Sequence, residues 1–220
     1  TEFGLLPAAL IGIDCEALLA GGAQMARACG PMVSGAENPG LFLGALIGAA
    51  YRQGRDKLTL LADPPLAALG DWIEQLIAES SGKQGKGILP VVAEPPGPGR
   101  VYGQDRLLVY LRREGSLDSR ARGWVRAGVP VVILQMAAEA LGFGAEFFRW
   151  EFATAVACHC IGVNAFDQPD VQKAKTRTVE LLKAFRRSGN LPQPATLYQG
   201  EGAIVRGASA ETTWSQAEDL

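Results

Sequence analysis

Three side chains combine a reactive type with a telling position: Lys175, Gln168 and Glu79. Pro169 suits the first turn of a helix, and Asp167 or Gln168 can cap the free amides there. Advancing about 100° per residue, Val171, Thr178, Leu182 and Phe185 share one stripe, and Lys175 falls inside it. An inward-facing ammonium is therefore expected. Gln168, two turns earlier on roughly the same side, is expected to reach the same cleft. In an earlier helix, about 66 to 80, the inner face is drawn by Leu69, Trp72, Ile73 and Leu76, with Glu79 at its edge. A carboxylate half withdrawn from water there has a raised pKa and can shuttle a proton near neutrality.

Other residues invite chemistry with less support. The loop Gly82-Lys83-Gln84-Gly85-Lys86-Gly87 lacks the Walker spacing and precedes a strand, so it reads as a solvated connection carrying two lysines. Cys158-His159-Cys160 cannot converge on one ion, since adjacent residues on a helix diverge. No metal is expected, and His159 reads as a helix-packing residue.

Two stretches carry a family resemblance. Val163-Asn164-Ala165-Phe166-Asp167-Gln168, with Val171 and Lys175, resembles the C-terminal signature of glucose-6-phosphate isomerase. The run Ala78-Glu79-Ser80-Ser81-Gly82-Lys83, continuing to Lys86-Gly87-Ile88 and Pro90, is similar to the stretch holding the catalytic base in bacterial members. Asn38-Pro39, the Gly4-to-Ala9 entry and Gln104 agree, so the likeness covers roughly residues 1 to 187. It is nearest to the isomerase part of transaldolase/glucose-6-phosphate isomerase fusions. The resemblance implies a SIS-type fold and aldose–ketose interconversion of glucose 6-phosphate and fructose 6-phosphate through a cis-enediol(ate), without cofactor or metal. It implies Glu79 as base, Lys175 as the cation that steadies the oxyanion and assists ring opening, and Gln168 as a holder of hydroxyls. The family's ring-opening histidine, counted without gaps, falls on Arg100. Its G-G-R motif would precede Thr1 and its phosphate loop belongs to an earlier subdomain. An excised fragment, inactive alone, is thus expected, with the missing N-terminal subdomain as partner and room for a homodimer.

The elements that must position these residues follow from periodicity and punctuation. Helical runs are expected from Leu5 to Ile13, from the Asp14 cap to Ala28 and from Asn38-Pro39 to Arg52, the first two buried. Gly44 and Gly48 in the third permit close approach. Apolar runs at 57–62, 88–92, 107–111 and 131–134 read as strands covered on both faces, and a helix fills 116–127. Strand–helix alternation predicts an α/β fold, a three-layer αβα sandwich with a mostly parallel sheet flanked by buried helices. Helices at about 143–162 and 169–187 close a domain spanning 1–188. Residues 189–220 read as an irregular arm with one β-like stretch, Ala203-Ile204-Val205.

Composition removes several classes of function. With 48% apolar residues and a formal charge of −2 in mixed signs, the chain is globular and has no basic block for nucleic acid or an anionic membrane. Four cysteines without paired spacing suit a reducing cytoplasm. The N-terminus lacks a signal peptide's basic start, and no apolar run is long enough to span a bilayer.

Overall fold

The structure, a computed structural model, describes residues 2–136, 139–191 and 194–207. It divides into two compact units, Thr1–Gln168 and Pro169–Leu220.

The first unit opens with three helices, α1 (Glu2–Leu10), α2 (Cys15–Ala28) and α3 (Pro39–Arg52). Their starts follow the predicted chemistry. The Asp14 carboxylate accepts from the Ala17 amide and the Asn38 side chain from the Leu41 amide, each at 2.9 Å. Four strands and three helices follow: β1 (Lys57–Ala62), α4 (Ala67–Ser81), β2 (Leu89–Val91), β3 (Arg106–Arg112), α5 (Asp118–Arg126), β4 (Val131–Gln135) and α6 (Glu139–Ile161).

The strands form one parallel sheet in the order β2-β1-β3-β4. The chain leaves β1 through α4 toward one edge and leaves β3 through α5 toward the other. Right-handed crossovers must then put α4 and α5 on opposite faces. The core agrees. Leu58, Leu60, Leu107, Val109 and Leu111 pack with Leu43, Ile73, Ile77 and Trp150, whereas Leu61, Leu108 and Tyr110 pack with Ala121 and Trp124. Alternate residues of each central strand thus serve different layers, which is why β3, and β1 apart from Thr59, read as apolar runs. The α/β sandwich with a parallel sheet is the architecture expected from the sequence, but the edge strands β2 and β4 are not covered on both faces as expected. Leu89 and Ile133 are about half exposed, because an edge strand has fewer neighbours to cover it.

Helix α6 lies against both α2 and α3, and glycines set how closely. A Cβ at Gly44 would come within 2.6 Å of the Val156 Cβ, and one at Gly48 would collide with Cys160. The expected burial of α1 is not observed, Phe3 being 93% and Leu10 79% exposed, and α2 buries only Gly21 and Met25, the side turned to α6. Helix α1 is apolar on every side, and only one side can rest on a neighbour, so its pattern could not assign a buried face.

The second unit holds α7 (Pro169–Ser188) and an antiparallel hairpin, β5 (Ala195–Gly200) and β6 (Ala203–Gly207). The arm expected to be irregular therefore contains two strands where one short stretch was read; its remainder, 208–220, lies outside the described residues. Among the described residues no helix is long and apolar enough to cross a membrane.

Candidate active site

The loop between α4 and β2 is built, not slack. Gln84 (φ 58°) and Gly85 (φ 72°) both sit in the left-handed region, the mark of a tight type I′ turn. Lys83 and Lys86 flank it as a cross-strand pair, with the Lys83 amide donating to the Lys86 carbonyl at 3.1 Å and the reverse bond at 3.0 Å. Residues directly opposite in such a pair project from the same face. Both ammonium groups consequently turn toward the end of α6. Ser81, buried beneath the turn, accepts from the Ile88 amide at 2.9 Å and anchors its base.

Lys83 is 4% exposed, which corrects the expectation of a solvated connection. Its Nζ donates to the carbonyl of Asn164 at 2.7 Å, to the carbonyl of Asp167 and to the Asp167 carboxylate at 3.2 Å. An ammonium has three donors and no acceptor, so these oxygens saturate it and make its burial tolerable. Lys86 donates to the carbonyls of Ile161 at 3.0 Å and Gly162 at 3.3 Å, where the exhausted end of α6 offers unpaired oxygens and a negative dipole end. The sequence signal for this was the four-residue K-x-x-K spacing across a Gly-containing turn.

The expected site residues are distributed as follows. Glu79 rides on α4 and is exposed, accepting one hydrogen bond from Gln75 at 3.1 Å. The half-buried carboxylate is not found. The buried stripe of α4 runs through Leu69, Ile73, Ile77 and Ser81, and Glu79, two residues from each of the last two, stands about 200° round the helix from them. Gln168 is exposed and directly follows Asp167, so its loop is the one Lys83 holds. The Asn164 side chain accepts from the Phe166 amide at 3.0 Å and shapes the same loop. Arg100 is exposed on a single 3-10 turn, Gly99–Val101. That turn packs on α5, since a Cβ at Gly99 would meet Ala127 and Trp124, and so belongs to the layer opposite α4.

Lys175 lies in the second unit. The inward-facing lysine is not observed: α7 buries none of its residues, and Val171, Leu182 and Phe185 are themselves about half exposed. Periodicity fixes which side chains share a helix face, not that the face is covered. His159 is exposed as well, so it is not a packing residue; Cys158 beside it is buried. Burial pushes the Cys158 thiol up, with the Lys83 charge pulling weakly the other way. The pair of neighbours shows why adjacent helical positions take opposite environments.

One polar centre escaped the sequence reading. Asp63, just past β1 at the point where strand order reverses, is fully buried. Its carboxylate accepts from the Tyr110 hydroxyl at 2.6 Å, the Ser116 hydroxyl at 2.5 Å and the amides of Arg113, Glu114, Gly115 and Ser116 at 2.6–3.1 Å. Burial alone would raise its pKa, but these donors together hold it well below the usual carboxylate range. The amides after β3 thus form an anion nest filled by the chain's own carboxylate. In sequence an Asp before two prolines signals only a turn, because its partners lie about 50 residues away.

Elsewhere an apolar groove of about 1130 Å³, lined by Leu5, Leu18, Trp72, Phe143 and Phe147, contains none of these residues.

No family model matches the chain. It is 31% identical to glucose-6-phosphate isomerase of Heliobacterium modesticaldum and 30% identical to that of Symbiobacterium thermophilum, each over 83% of this chain and 49% of the relative. Among solved structures, a hypothetical protein of Thermus thermophilus superposes with a TM-score of 0.66 at 23% identity, over 83% of this chain and 54% of that one. A glucose-6-phosphate isomerase of Chlamydia trachomatis does so with a TM-score of 0.60 at 16% identity, over 77% and 43%. The fold is therefore shared, and the chain spans about half the length of the curated relatives it matches.

Proposed function

We propose, on the premise that this chain resembles glucose-6-phosphate isomerases over 83% of its length, that it is the SIS-type part of an aldose–ketose isomerase acting on D-glucose 6-phosphate and D-fructose 6-phosphate. The observation that carries this reading is the union of the two motifs on which the resemblance rests. Lys83, four residues beyond Glu79, binds the carbonyl next to Gln168.

In this reading Glu79 takes the proton from C2 of the opened sugar, leaving a cis-enediol(ate), and returns it to C1. One carboxylate suffices for both transfers, with an effect of about 10²–10⁴-fold. Lys175 supplies positive charge to the developing oxyanion and exchanges a proton with the ring oxygen. Gln168 holds sugar hydroxyls. Arg100, standing where the family has its histidine, presents a planar fork of N–H donors without an acceptor, which suits binding substrate oxygens. No cofactor or metal is needed for this chemistry.

An exposed carboxylate is a poor base until water is excluded from it. The covering surface in this reading comes from the remaining half of a protein about twice this length, or from a second copy in a homodimer. A cytoplasmic setting belongs to the same reading, and so does inactivity of this chain alone. A domain that only supports a fused transaldolase is a rival to it, which absence of fructose 6-phosphate binding by the intact protein would favour.

The test is an isomerase assay of the intact protein with Glu79→Gln beside it. Loss of turnover in that variant is expected, and full activity would refute the assignment of the base. A second reading, a sugar-phosphate-binding domain without turnover, is favoured by Arg100 in the histidine's position. Binding of fructose 6-phosphate by an intact protein that never isomerises it would support that alternative.

A further inference from the structure

The Gly-Lys loop has no part in the chemistry above, yet it holds one of the most enclosed charges in the chain. The Lys83 side chain is 2% exposed while that of its countercharge, Asp167, is 46% exposed. Burying a cation is costly, and an apolar side chain of similar volume would often serve packing as well. What a lysine adds is a three-pronged donor with fixed acceptors. All three of its acceptor atoms lie between Asn164 and Asp167, and the two carbonyls among them belong to a segment that has left α6 and makes no ladder of its own.

We infer that Lys83 is a positioning residue: through those three bonds it fixes the Asn164–Asp167 loop and thereby aims Gln168 at the sugar, while Lys86 only ties down the end of α6. This rests on the isomerase reading for its catalytic consequence but not for its geometry. Two features make the device rigid. The type I′ turn leaves Lys83 and Lys86 on one face, and Ser81 pins the base of that turn to Ile88. The loop and the turn then move as one body, and Gln168 inherits its place from a residue that never touches substrate.

The consequence is specific. Lys83→Met keeps the apolar stem and removes the donors. In the intact protein it raises KM for fructose 6-phosphate about tenfold, the worth of one charge-assisted hydrogen bond, and leaves kcat within about twofold. In a Gln168→Ala background the same change adds less than about twofold, because the two act through one contact. Lys86→Met leaves KM unchanged. Hydrogen exchange supplies a readout independent of activity: Lys83→Met speeds exchange of amides 164–168 and not of β1 or β3. Should Lys83→Met fail to fold, Asp167→Ala, which removes only the carboxylate arm, shows the same pattern at smaller amplitude.

Additive effects of Lys83→Met and Gln168→Ala, or unchanged exchange at 164–168, would overturn the inference while leaving the isomerase reading intact. An intact parent protein with no turnover, in which Lys83→Met still loosens 164–168 alone, would overturn that reading and leave the clamp standing.

Discussion

The phenol of Tyr110 donates a 2.6 Å hydrogen bond to the carboxylate of Asp63, and both side chains are fully buried. Tyr110 also accepts from the Leu117 amide at 3.1 Å, so one hydroxyl links the end of β1 to the start of α5. In open α/β sheets this crevice is where ligands bind. Here the amides at its lip, those of residues 113–116, are already taken by the chain's own carboxylate, which suits the reading that the phosphate of a substrate is held elsewhere.

Asp63→Asn should be among the most destabilising polar substitutions in the first unit. The amide group keeps one acceptor oxygen but turns donors toward donors, and each buried group left unsatisfied costs about 1–3 kcal/mol. A loss of at least ~3 kcal/mol in chemical denaturation is expected on that scale. The acid limb should change too. A folded-state pKa depressed below an unfolded value near 4 gives stability that is complete above that value and is lost as pH falls through the native one. The parent protein therefore loses stability steadily from about pH 4 downward, and Asp63→Asn flattens that limb. Equal slopes in the two proteins would show that another group governs it.

Gly21→Ala tests the contact between α2 and α6. In an exposed helix the substitution gains about 1 kcal/mol of propensity. At Gly21 the added methyl would strike the carbonyl of Leu141, a backbone atom that cannot rotate away. Overpacking costs about 1–3 kcal/mol, so the clash wins and a lower melting temperature is expected. Gly123→Ala is the control, since a Cβ there meets nothing within 4 Å.

The four thiols should separate by access. Cys29 and Cys158 are buried, Cys15 and Cys160 half-buried. Brief iodoacetamide treatment of native protein at mildly alkaline pH is expected to modify Cys15 and Cys160 first. Mass spectrometry after unfolding should add the other two. Early modification of Cys158 would contradict its place in the core, where burial disfavours the thiolate.

Glu79→Gln should separate catalysis from stability. The carboxylate is exposed and accepts one hydrogen bond, from Gln75, so its melting temperature should match the parent's. Turnover of the intact protein should fall about 10²–10⁴-fold. A large drop in stability would mean that this side chain is structural.

Much of the first unit was legible in local pattern. Apolar runs at β1 and β3 announced strands covered on both faces, and Asp14 and Asn38 marked helix starts because capping is settled within three residues. Strand β5 was not legible. Residues 195–200 lack apolar alternation, and their pairing depends on a turn in which Gly202 takes a positive φ of 76°. The same division holds at the site. Motif spacing identified Glu79, Gln168 and Lys175 as candidates, but whether a face is covered depends on surfaces far along the chain, so their exposure was not predictable. The burial of Lys83 and of Asp63 was not legible for one reason: their partners lie 81 and about 50 residues away.

The strand order also leaves two rims. Neither β2 nor β4 has an outer neighbour among the described residues, and Ile133 on β4 is 49% exposed. Each rim presents amides and carbonyls that a foreign strand could extend into a longer sheet. Purified by itself at high concentration, the chain should be prone to self-association that dilution or a capping neighbour relieves.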